Sequence, residues 1–391
     1  MPPLIYSELN WSVAHADHGD GHFKSSPVSR IICVTDKFKG TLPASEIGLL
    51  AQKTWGDKCL AIPLADGGEG TLEALHNIRP WTIHQVRVVD PCYQPQDAYY
   101  LIDPTTNTAY LEMALASGLQ LVPAEQRDPK YTTTRGTGQL ILDAWKQGVN
   151  RIVVFAGGSA TQDAGIGLLA GCGYEWLDEK GNPLDPQGDS LSKIASVREP
   201  SDLPPQPEFL IATDVRNPLL GPLGAARQYA AQKGATPEDV DILETGTRQY
   251  LHWLENRFGQ ELDQPGMGAA GGLALSPAAF WNTRIVSATD LIFELLAIER
   301  HIASADIILT GEGKLDQTSL QGKLIHAVCQ LALRHRKIIW GVFGEVTLPD
   351  SAVRELGLSQ WFSLTSLAGS STAAMENPRH WMQVALCLFR D

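Results

Sequence analysis

The residues of this sequence that could do chemistry are concentrated in glycine-rich segments, each of which follows an apolar run. Five segments repeat the pattern: DKFKGT (36–41), ADGGEGT (65–71), GGSATQDAG (157–165), TDVRNPLLGP (213–222) and GEGKLDQTSLQGK (311–323). Glycine lets the backbone approach a ligand closely and offers N–H groups to anions. Carboxylates bind Mg²⁺ or accept a hydroxyl proton, and lysines neutralise phosphate charge. These groups together are what phosphoryl transfer requires, namely positioning and charge compensation.

Each segment taken alone is more typical of a structural turn than of a catalytic loop. The stretch FAGGSATQDAGIG (155–167) illustrates this, because it matches neither G-x-x-x-x-G-K-[ST] nor G-x-G-x-x-G. It has no lysine, and its candidate ligand groups are Gly157, Gly158, Ser159, Thr161 and Asp163. Ligands of open α/β sheets bind beyond the carboxyl ends of the strands, so five such segments favour one shared crevice.

The elements that must position these segments follow an α/β pattern from residue 30 onward. Apolar, β-branched runs predict strands at 30–36, 59–66, 305–313, 337–345 and 361–367. Helices are predicted at 43–55 and 320–336. We therefore expect a parallel sheet of about five strands, with helices on its faces, built from both ends of the chain.

The middle of the chain has a different pattern. The runs WTIHQVRVVDP (81–91), AYYLIDP (98–104) and TAYLEMA (108–114) lie close together, which predicts antiparallel pairing. Later runs return to the form of a strand followed by a loop, which predicts a second, mixed α/β domain. The predicted organisation is an N-terminal extension at 1–29, the parallel-sheet domain at 30–80 and 285–391, and the second domain at 81–284.

Length and charge limit the classes of function. The 391 residues are enough for two or three domains at about 100–200 residues each. The net charge of −13 disfavours binding to nucleic acid or an anionic membrane. A phosphate-bearing ligand would then need a few local cations, helix N-termini or Mg²⁺. No run of about 18 apolar residues occurs, so no transmembrane span is expected.

The cysteines and the N-terminal residues bear on location. The six cysteines are scattered without a C-x-x-C pair, which disfavours a zinc site or a disulfide framework and favours a reducing cytoplasm. The first residues lack the basic start and apolar core of a signal peptide. HADHGDGH (15–22) could hold a metal, but a flexible terminus is the favoured interpretation.

In collinear order from about residue 31 to about residue 344, the chain resembles the bacterial glycerate kinases that carry a D-S-F-K-G motif near their start. The segments that carry the resemblance are DKFKGTLPASE (36–46), PLADGGEGT (63–71), EMALASGL (112–119), TTTRGTGQL (132–140), GGSATQDAG (157–165), TDVRNPLLGPLGAARQYAAQKGAT (213–236), GAAGGLA (268–274) and ADIILTGEGKLD (305–316).

The resemblance implies a two-domain α/β enzyme with one flavodoxin-like domain and one distinct mixed α/β domain. It implies ATP- and Mg²⁺-dependent phosphorylation of D-glycerate, usually to 2-phosphoglycerate. For the mechanism we predict in-line phosphoryl transfer in the crevice between the domains. The acidic and basic positions of the family motifs fall on Asp36, Lys39, Asp66, Asp163, Asp214, Glu312, Asp316 and Lys323. The sequence leaves the oligomeric state open, with a homodimer as one option.

We predict roles for these positions from the chemistry of their side chains. Asp36 or Asp214 is the expected base, and Lys39 is expected to compensate phosphate charge, with Lys323 as a second candidate. The predicted Mg²⁺ ligands are Asp66, Asp163 and Asp316. The cations predicted to bind the substrate carboxylate are Lys37, Arg135 and Arg216. The predicted substrate- or phosphate-binding set is Asp66, Gly67, Gly68, Arg135, Gly157, Gly158, Ser159, Thr161, Arg216, Glu312 and Lys323.

Several motif positions depart from the family pattern. Lys37 stands in place of serine, Arg135 of tyrosine, Gln162 of asparagine, Ala164 of glycine and Arg216 of aspartate. Most of these changes add bulk or a cation at a predicted ligand loop. They keep two alternatives open: a kinase for another small hydroxy acid or sugar acid, and a non-catalytic homologue that binds ligand.

Overall fold

The structure is a computed structural model that describes residues 30–320 and 324–389. Its strands are β1 (Ile31–Thr35), β2 (Cys59–Ala61), β3 (Thr82–Val89), β4 (Pro95–Asp103), β5 (Thr108–Glu112), β6 (Arg151–Phe155), β7 (Glu175–Leu177), β8 (Ser196–Arg198), β9 (Glu208–Ala212), β10 (Arg284–Val286), β11 (Ile307–Leu315), β12 (Ile338–Val346) and β13 (Leu358–Ser363).

The helices alternate with the strands along most of the chain. They are α1 (Ala44–Trp55), α2 (Thr71–Ile78), α3 (Ala114–Ser117), α4 (Arg135–Lys146), α5 (Ile166–Gly171), α6 (Ala225–Tyr229), α7 (Pro237–Phe258), α8 (Leu275–Trp281), α9 (Ala288–Leu295), α10 (Ile298–Ser304), α11 (Leu324–Arg334), α12 (Asp350–Glu355), α13 (Leu364–Ala368), α14 (Ser371–Glu376) and α15 (Pro378–Leu388). Short 3₁₀ helices lie at Gly56–Lys58, Leu119–Leu121, Ala124–Gln126, Gly188–Lys193, Ala231–Lys233, Ala269–Gly271 and Gln317–Leu320.

The chain divides into two compact units. The first is built from the described parts of Met1–Ala65, Glu73–Pro80 and Ile292–Asp391. The second is built from Asp66–Leu72 and Trp81–Leu291. The loop that begins at Asp66 therefore lies with the second unit, whereas the predicted boundary at residue 80 places it in the first domain.

The first unit contains a five-stranded parallel sheet in the order β2-β1-β11-β12-β13. Read by position along the chain, this is the 2-1-3-4-5 order of flavodoxin-like folds. The N-terminal part of the chain supplies two of these strands and the C-terminal part supplies three. The predicted fold class, with a flavodoxin-like sheet built from both ends of the chain, is confirmed.

The strand β2 is shorter than the sequence predicts. It ends at Ala61, although the prediction extends to residue 66. The chain still runs beside β1, because Ile62 N–H and Leu64 N–H donate to the carbonyls of Cys33 and Thr35. Pro63 lies between these donors, and β2 is the edge strand of the sheet, so the missing N–H of Pro63 faces away from β1 and breaks no bond to it.

Helix α1 packs on this sheet through one face. Its buried residues Ala44, Ile47, Gly48 and Ala51 recur at the spacing of a single helical face. Gly48 permits the close approach, because a Cβ at that position would lie 2.7 Å from the Cβ of Ala61. Each large apolar side chain buried in this way contributes about 1.5–3 kcal/mol relative to exposure.

The second unit contains a six-stranded mixed sheet in the order β10-β9-β6-β5-β4-β3. The pairs β3–β4 and β4–β5 are antiparallel, as the closely spaced runs of the sequence predict. The pairs β5–β6, β6–β9 and β9–β10 are parallel. The carboxyl ends of β5, β6, β9 and β10 therefore lie along one edge of the sheet, and the segments that follow them meet there.

The core of the second unit is closed by aromatic packing. The Trp281 ring stacks on Phe209 of β9 at 4.5 Å between centroids and meets Trp145 of α4 edge-on at 5.5 Å. These contacts fix α4 and α8 against the sheet, and with them the loops at its edge. Within the described residues, no helix combines the length and apolarity needed to cross a bilayer.

Candidate functional site

In the first unit, Asp36 and Lys39 lie in a tight turn at the end of β1. The Asp36 N–H donates to the Gly311 carbonyl at 2.9 Å, and the Asp36 Oδ1 accepts from the Lys37 N–H at 2.7 Å. Phe38 is buried and pairs with Leu42 across the turn, which anchors it. Asp36 is 8% exposed, whereas Lys39 is exposed. The turn thus holds a nearly buried carboxylate three residues before an exposed ammonium group.

The end of β11 lies beside this turn. A Cβ placed on Gly313 would lie 3.5 Å from the Lys39 amide nitrogen, which makes the two backbones neighbours. Glu312 belongs to the same strand end, so the structure brings Asp36, Lys39 and Glu312 to one edge of the parallel sheet, as predicted. Asp316 directly follows β11. The predicted residue Lys323 and the segment HADHGDGH lie outside the described residues.

In the second unit, the two glycine-rich loops ADGGEGT and GGSATQDAG touch through their backbones. The Gly157 N–H donates to the Gly67 carbonyl at 2.9 Å. A Cβ on Gly157 would lie 2.5 Å from the Cα of Gly68, and one on Gly67 would lie 2.7 Å from the Cβ of Ala288. A side chain at Gly157 would push the two loops apart, and one at Gly67 would push the first loop away from the start of α9.

Glu112, to which the sequence analysis gave no role, holds the ADGGEGT loop. It ends β5 with 1% exposure, and its carboxylate accepts from the N–H groups of Gly70 and Leu72, each at 3.1 Å. These donors lie at the start of α2, where a helix has unpaired N–H groups and favours negative charge. In the sequence, the signal for this role is an acidic residue at the end of a strand whose residues are all buried.

Asp214 is fixed by the segment that begins α9. Its carboxylate accepts from Ser287 Oγ at 2.9 Å, from Thr289 Oγ1 at 2.6 Å and from the Thr289 N–H at 3.1 Å. The residue is exposed, but both of its oxygens are engaged in these bonds. Asp214 therefore ties the loop after β9 to the loop after β10.

The predicted metal-binding role of Asp163 does not fit its surroundings. The residue is fully buried, and its carboxylate accepts from the Thr134 N–H and Oγ1, each at 2.7 Å, and from the Gly165 N–H at 3.2 Å. Burial raises the pKa of this carboxyl, while the hydrogen bonds act against that rise. The carboxylate joins its own loop to the residue that precedes α4, which is a structural role.

The remaining predicted metal ligands do not form a ready-made metal cage. Within 30–320 and 324–389, no group of three or more His, Cys, Asp or Glu side chains could hold a metal ion. Asp66 is exposed, and its Oδ1 accepts from the Gly68 N–H at 3.1 Å. Mg²⁺ in kinases is commonly held by one or two carboxylates together with substrate phosphates. An exposed Asp66 fits that kind of site.

The predicted cations occupy different elements. Arg135 is exposed at the first position of α4, Arg216 is exposed in the loop after β9, and Lys37 is half-buried after β1. Thr161 differs from its prediction as a ligand hydroxyl, because its side chain is fully buried. Ser159 is 8% exposed, so its side chain is also largely buried.

Lys233 is the second residue that the sequence analysis missed. Its ammonium group donates to Ser159 Oγ at 2.9 Å and to the Thr161 carbonyl at 2.6 Å. The residue is 2% exposed, and burial lowers the pKa of its ammonium group to about 7. The sequence signal for this residue is the lysine of QKGAT (232–236). It lies among small residues in one of the segments that carry the family resemblance.

Comparison with known proteins agrees with these features. Residues 31–387 match the model of the glycerate kinase family. The chain is 34% identical to the glycerate 2-kinase of Escherichia coli over 350 residues, which cover 87% of this chain and 92% of the relative. It is 40% identical to an uncharacterized protein of Synechocystis over 327 residues, 83% of this chain and 88% of that protein. A crystal structure of a putative glycerate kinase 2 from Salmonella typhimurium superposes with a TM-score of 0.74 at 34% identity, covering 92% of this chain and 98% of that one.

Proposed function

The chain belongs to the glycerate kinase family, and from that premise we propose that it transfers the γ-phosphoryl group of ATP to a hydroxyl of D-glycerate, giving 2-phosphoglycerate. The observation that carries the proposal is the turn after β1. It presents the Asp36 carboxylate and the Lys39 ammonium three residues apart, beside the end of β11. A base for the acceptor hydroxyl and a cation for the phosphate are the two charged groups that this reaction needs from side chains.

Asp36 is the base in this proposal, in preference to Asp214. Both oxygens of Asp214 accept hydrogen bonds from Ser287 and Thr289, which hold the carboxylate in place between two loops. We therefore assign Asp214 the task of positioning the loop after β9, where Arg216 also lies.

The phosphate groups of the nucleotide are assigned to glycine backbone and to lysine. Lys39 is exposed and compensates charge on the transferred group. The loops that contain Gly67–Gly68 and Gly157–Gly158 offer backbone N–H groups to anions, and their mutual contact preorganises them. Preorganisation matters because a loop that is already in place costs no reorganisation during the reaction.

Mg²⁺ has one well-suited ligand among the predicted residues of the second unit. Asp66 is exposed and keeps its carboxylate beside the Gly68 N–H. Together with nucleotide phosphates, this carboxylate would hold the ion, which supplies charge neutralisation to the transferred phosphoryl group. Asp316, directly after β11, is the second candidate ligand from the sequence.

A second candidate function, phosphorylation of another small hydroxy acid or sugar acid, is favoured by two cations. Arg135 and Arg216 are both exposed and stand where the family motifs have tyrosine and aspartate. Guanidinium groups bind carboxylates in a bidentate manner, so a further acidic group on the substrate would suit them. On the leading proposal, one of these cations or Lys37 binds the carboxylate of glycerate.

ADP release with a panel of acceptors tests both functions. Purified protein is incubated with ATP, millimolar Mg²⁺ and D-glycerate, L-glycerate, or larger hydroxy and sugar acids in turn. The proposal predicts the highest kcat/KM for D-glycerate, with 2-phosphoglycerate identified by NMR. A higher value for another acid supports the second function, and absence of turnover with every acceptor contradicts both.

A further inference from the structure

The proposed reaction leaves Lys233 without a role, although its environment is costly. A lysine is almost never fully buried without a paired acid, because removing an ammonium ion from water is unfavourable. Lys233 is 2% exposed, and within the described residues its ammonium group has no carboxylate as an ion-pair partner. Its acceptors are a hydroxyl and a backbone carbonyl, both in the loop GGSATQDAG.

The backbone around Lys233 fixes the side chain in this position. The residue ends the 3₁₀ helix Ala231–Lys233, and Gly234 follows with φ +99°. A Cβ on Gly234 would lie 2.1 Å from the carbonyl oxygen of Arg127, so the chain can pass there only with glycine. The ammonium group is therefore held behind the loop by a tightly packed segment of backbone. It does not belong to a mobile side chain at the surface.

The loop in front of Lys233 has unused donors. Gly158 is exposed with φ +76°, and within the described part of the chain the N–H groups of Gly158 and Ser159 have no hydrogen-bond acceptor. Ser159 Oγ accepts from Lys233, so its hydroxyl proton is available for donation to another acceptor. These groups form the donor set of an anion site: two backbone N–H groups and a hydroxyl that accepts a hydrogen bond from an ammonium group.

As an inference that rests on the proposed function, we propose that Lys233 is a positioning residue that holds residues 157–163 in an anion-binding conformation. It supplies the positive charge that this loop lacks in its own sequence. The anion is a phosphate group of the nucleotide or the carboxylate of the acceptor, and both would accept from the same donors. Lys233 acts through Ser159 and the Thr161 carbonyl rather than by touching the substrate.

The charges around Lys233 agree with this role. The negative charge of Asp163 raises the pKa of Lys233, but burial lowers that pKa by a larger amount. The Asp163 carboxylate is itself committed to Thr134 and Gly165. Arg227 of the neighbouring helix α6 is paired with Asp241 at 2.8 Å, and Arg127 packs its backbone against Gly234. An anion bound at the loop would therefore add the missing negative charge.

Three lysine variants and steady-state kinetics test the inference. Lys233→Met removes the charge and the donors, Lys233→Gln keeps a neutral donor, and Lys180→Met is the matched control at an exposed lysine of the same unit. We expect both Lys233 variants to raise the KM of one substrate by about ten- to hundredfold, with the control unchanged. A raised KM for ATP identifies the anion as phosphate, and a raised KM for D-glycerate identifies it as carboxylate. An unchanged KM for both substrates, or full rescue by glutamine, would overturn the inference.

Two further measurements keep this test independent of folding and of the proposed function. Where the Lys233 variants do not fold, as judged by circular dichroism, Ser159→Ala removes the hydroxyl between lysine and anion and should raise the same KM. If the wild-type protein does not phosphorylate D-glycerate, the proposed function fails, and calorimetry then decides the role of Lys233. Weaker binding of MgADP or D-glycerate to Lys233→Met than to Lys180→Met supports it, and equal binding of both ligands contradicts it.

Discussion

The backbone N–H of Gly157 donates a 2.9 Å hydrogen bond to the carbonyl of Gly67, and this bond joins the two glycine-rich loops of the second unit. The contact is close because Gly157 has no side chain: a Cβ at that position would lie 2.5 Å from the Cα of Gly68. Glu112 fixes the first loop from β5, and Lys233 fixes the second from the 3₁₀ helix that it ends. The loops therefore form one preorganised unit, and changes in either should affect both.

Substitution of Gly157 by alanine should lower both stability and activity. The new Cβ would lie 2.5 Å from the Cα of Gly68, and backbone at both loops must move to relieve the contact. Overpacking of this kind costs about 1–3 kcal/mol. The matched control is Gly246→Ala within α7, where the Cβ would lie 3.4 Å from the Leu191 Cβ and helix propensity improves. Equal urea midpoints for the two variants would contradict the tight contact.

Substitution of Glu112 by glutamine should destabilise the protein by about 1–3 kcal/mol, because one buried N–H at the start of α2 loses its charged acceptor. Urea unfolding at neutral pH measures the effect. The exposed Glu125 provides the matched control, since Glu125→Gln removes a charge without a buried partner. A free energy of unfolding equal to that of the control would show that Glu112 does not support the loop.

Asp163 and Asp66 should respond differently to loss of charge. Asp163→Asn should lower the melting temperature, since the buried carboxylate accepts from Thr134 and Gly165, and should leave the Mg²⁺ concentration for half-maximal turnover unchanged. Asp66→Asn should raise that concentration with little change in melting temperature, because Asp66 is exposed. The reverse pattern would restore Asp163 as the metal ligand.

The buried ammonium group of Lys233 should give stability a specific pH dependence. Burial lowers its pKa from 10.5 to about 7. Between these values the unfolded chain binds more protons than the folded chain, so the contribution of Lys233 to the free energy of unfolding rises with pH. Below about pH 7 both states are protonated, and the full cost of burying the charge is present.

Urea unfolding of wild type and Lys233→Met across this range measures that contribution. We expect the wild type to gain stability relative to the variant between about pH 7 and about pH 10. Asp163, the acid that acts on the Lys233 ammonium group, is present in both proteins. Parallel pH profiles for the two proteins would mean that Lys233 titrates normally.

The architecture could be predicted from the sequence because its signals are local. Apolar runs such as RIICVTD (30–36) and ADIILTGEG (305–313) mark buried strands, and the closely spaced runs after residue 81 mark the antiparallel part of the second sheet. Loops that pair glycine with an acid at the strand ends placed Asp36 and Glu312 at one edge. Two strands end earlier than the pattern indicated: the one predicted at 59–66 ends at Ala61, and the one predicted at 361–367 ends at Ser363, where α13 begins.

The contacts of the side chains could not be predicted, because they join residues far apart in the chain. Thr134 Oγ1 reaches Asp163 across 29 positions, and Lys233 reaches Ser159 across 74. Whether a carboxylate faces a ligand or a helix end depends on such packing, which has no periodic signature. Residue type alone therefore assigned Asp163 to a metal and left Lys233 and Glu112 without roles.

The most direct test of the central claim is the rate of ADP release with D-glycerate for wild type and Asp36→Asn. Asparagine keeps the shape of the side chain but cannot take the hydroxyl proton, so kcat should fall by about 10²–10⁴-fold. Asp57→Asn, at an exposed aspartate of the same unit, should keep the wild-type rate. Turnover of Asp36→Asn at the rate of Asp57→Asn would contradict the proposed role of Asp36 as the base.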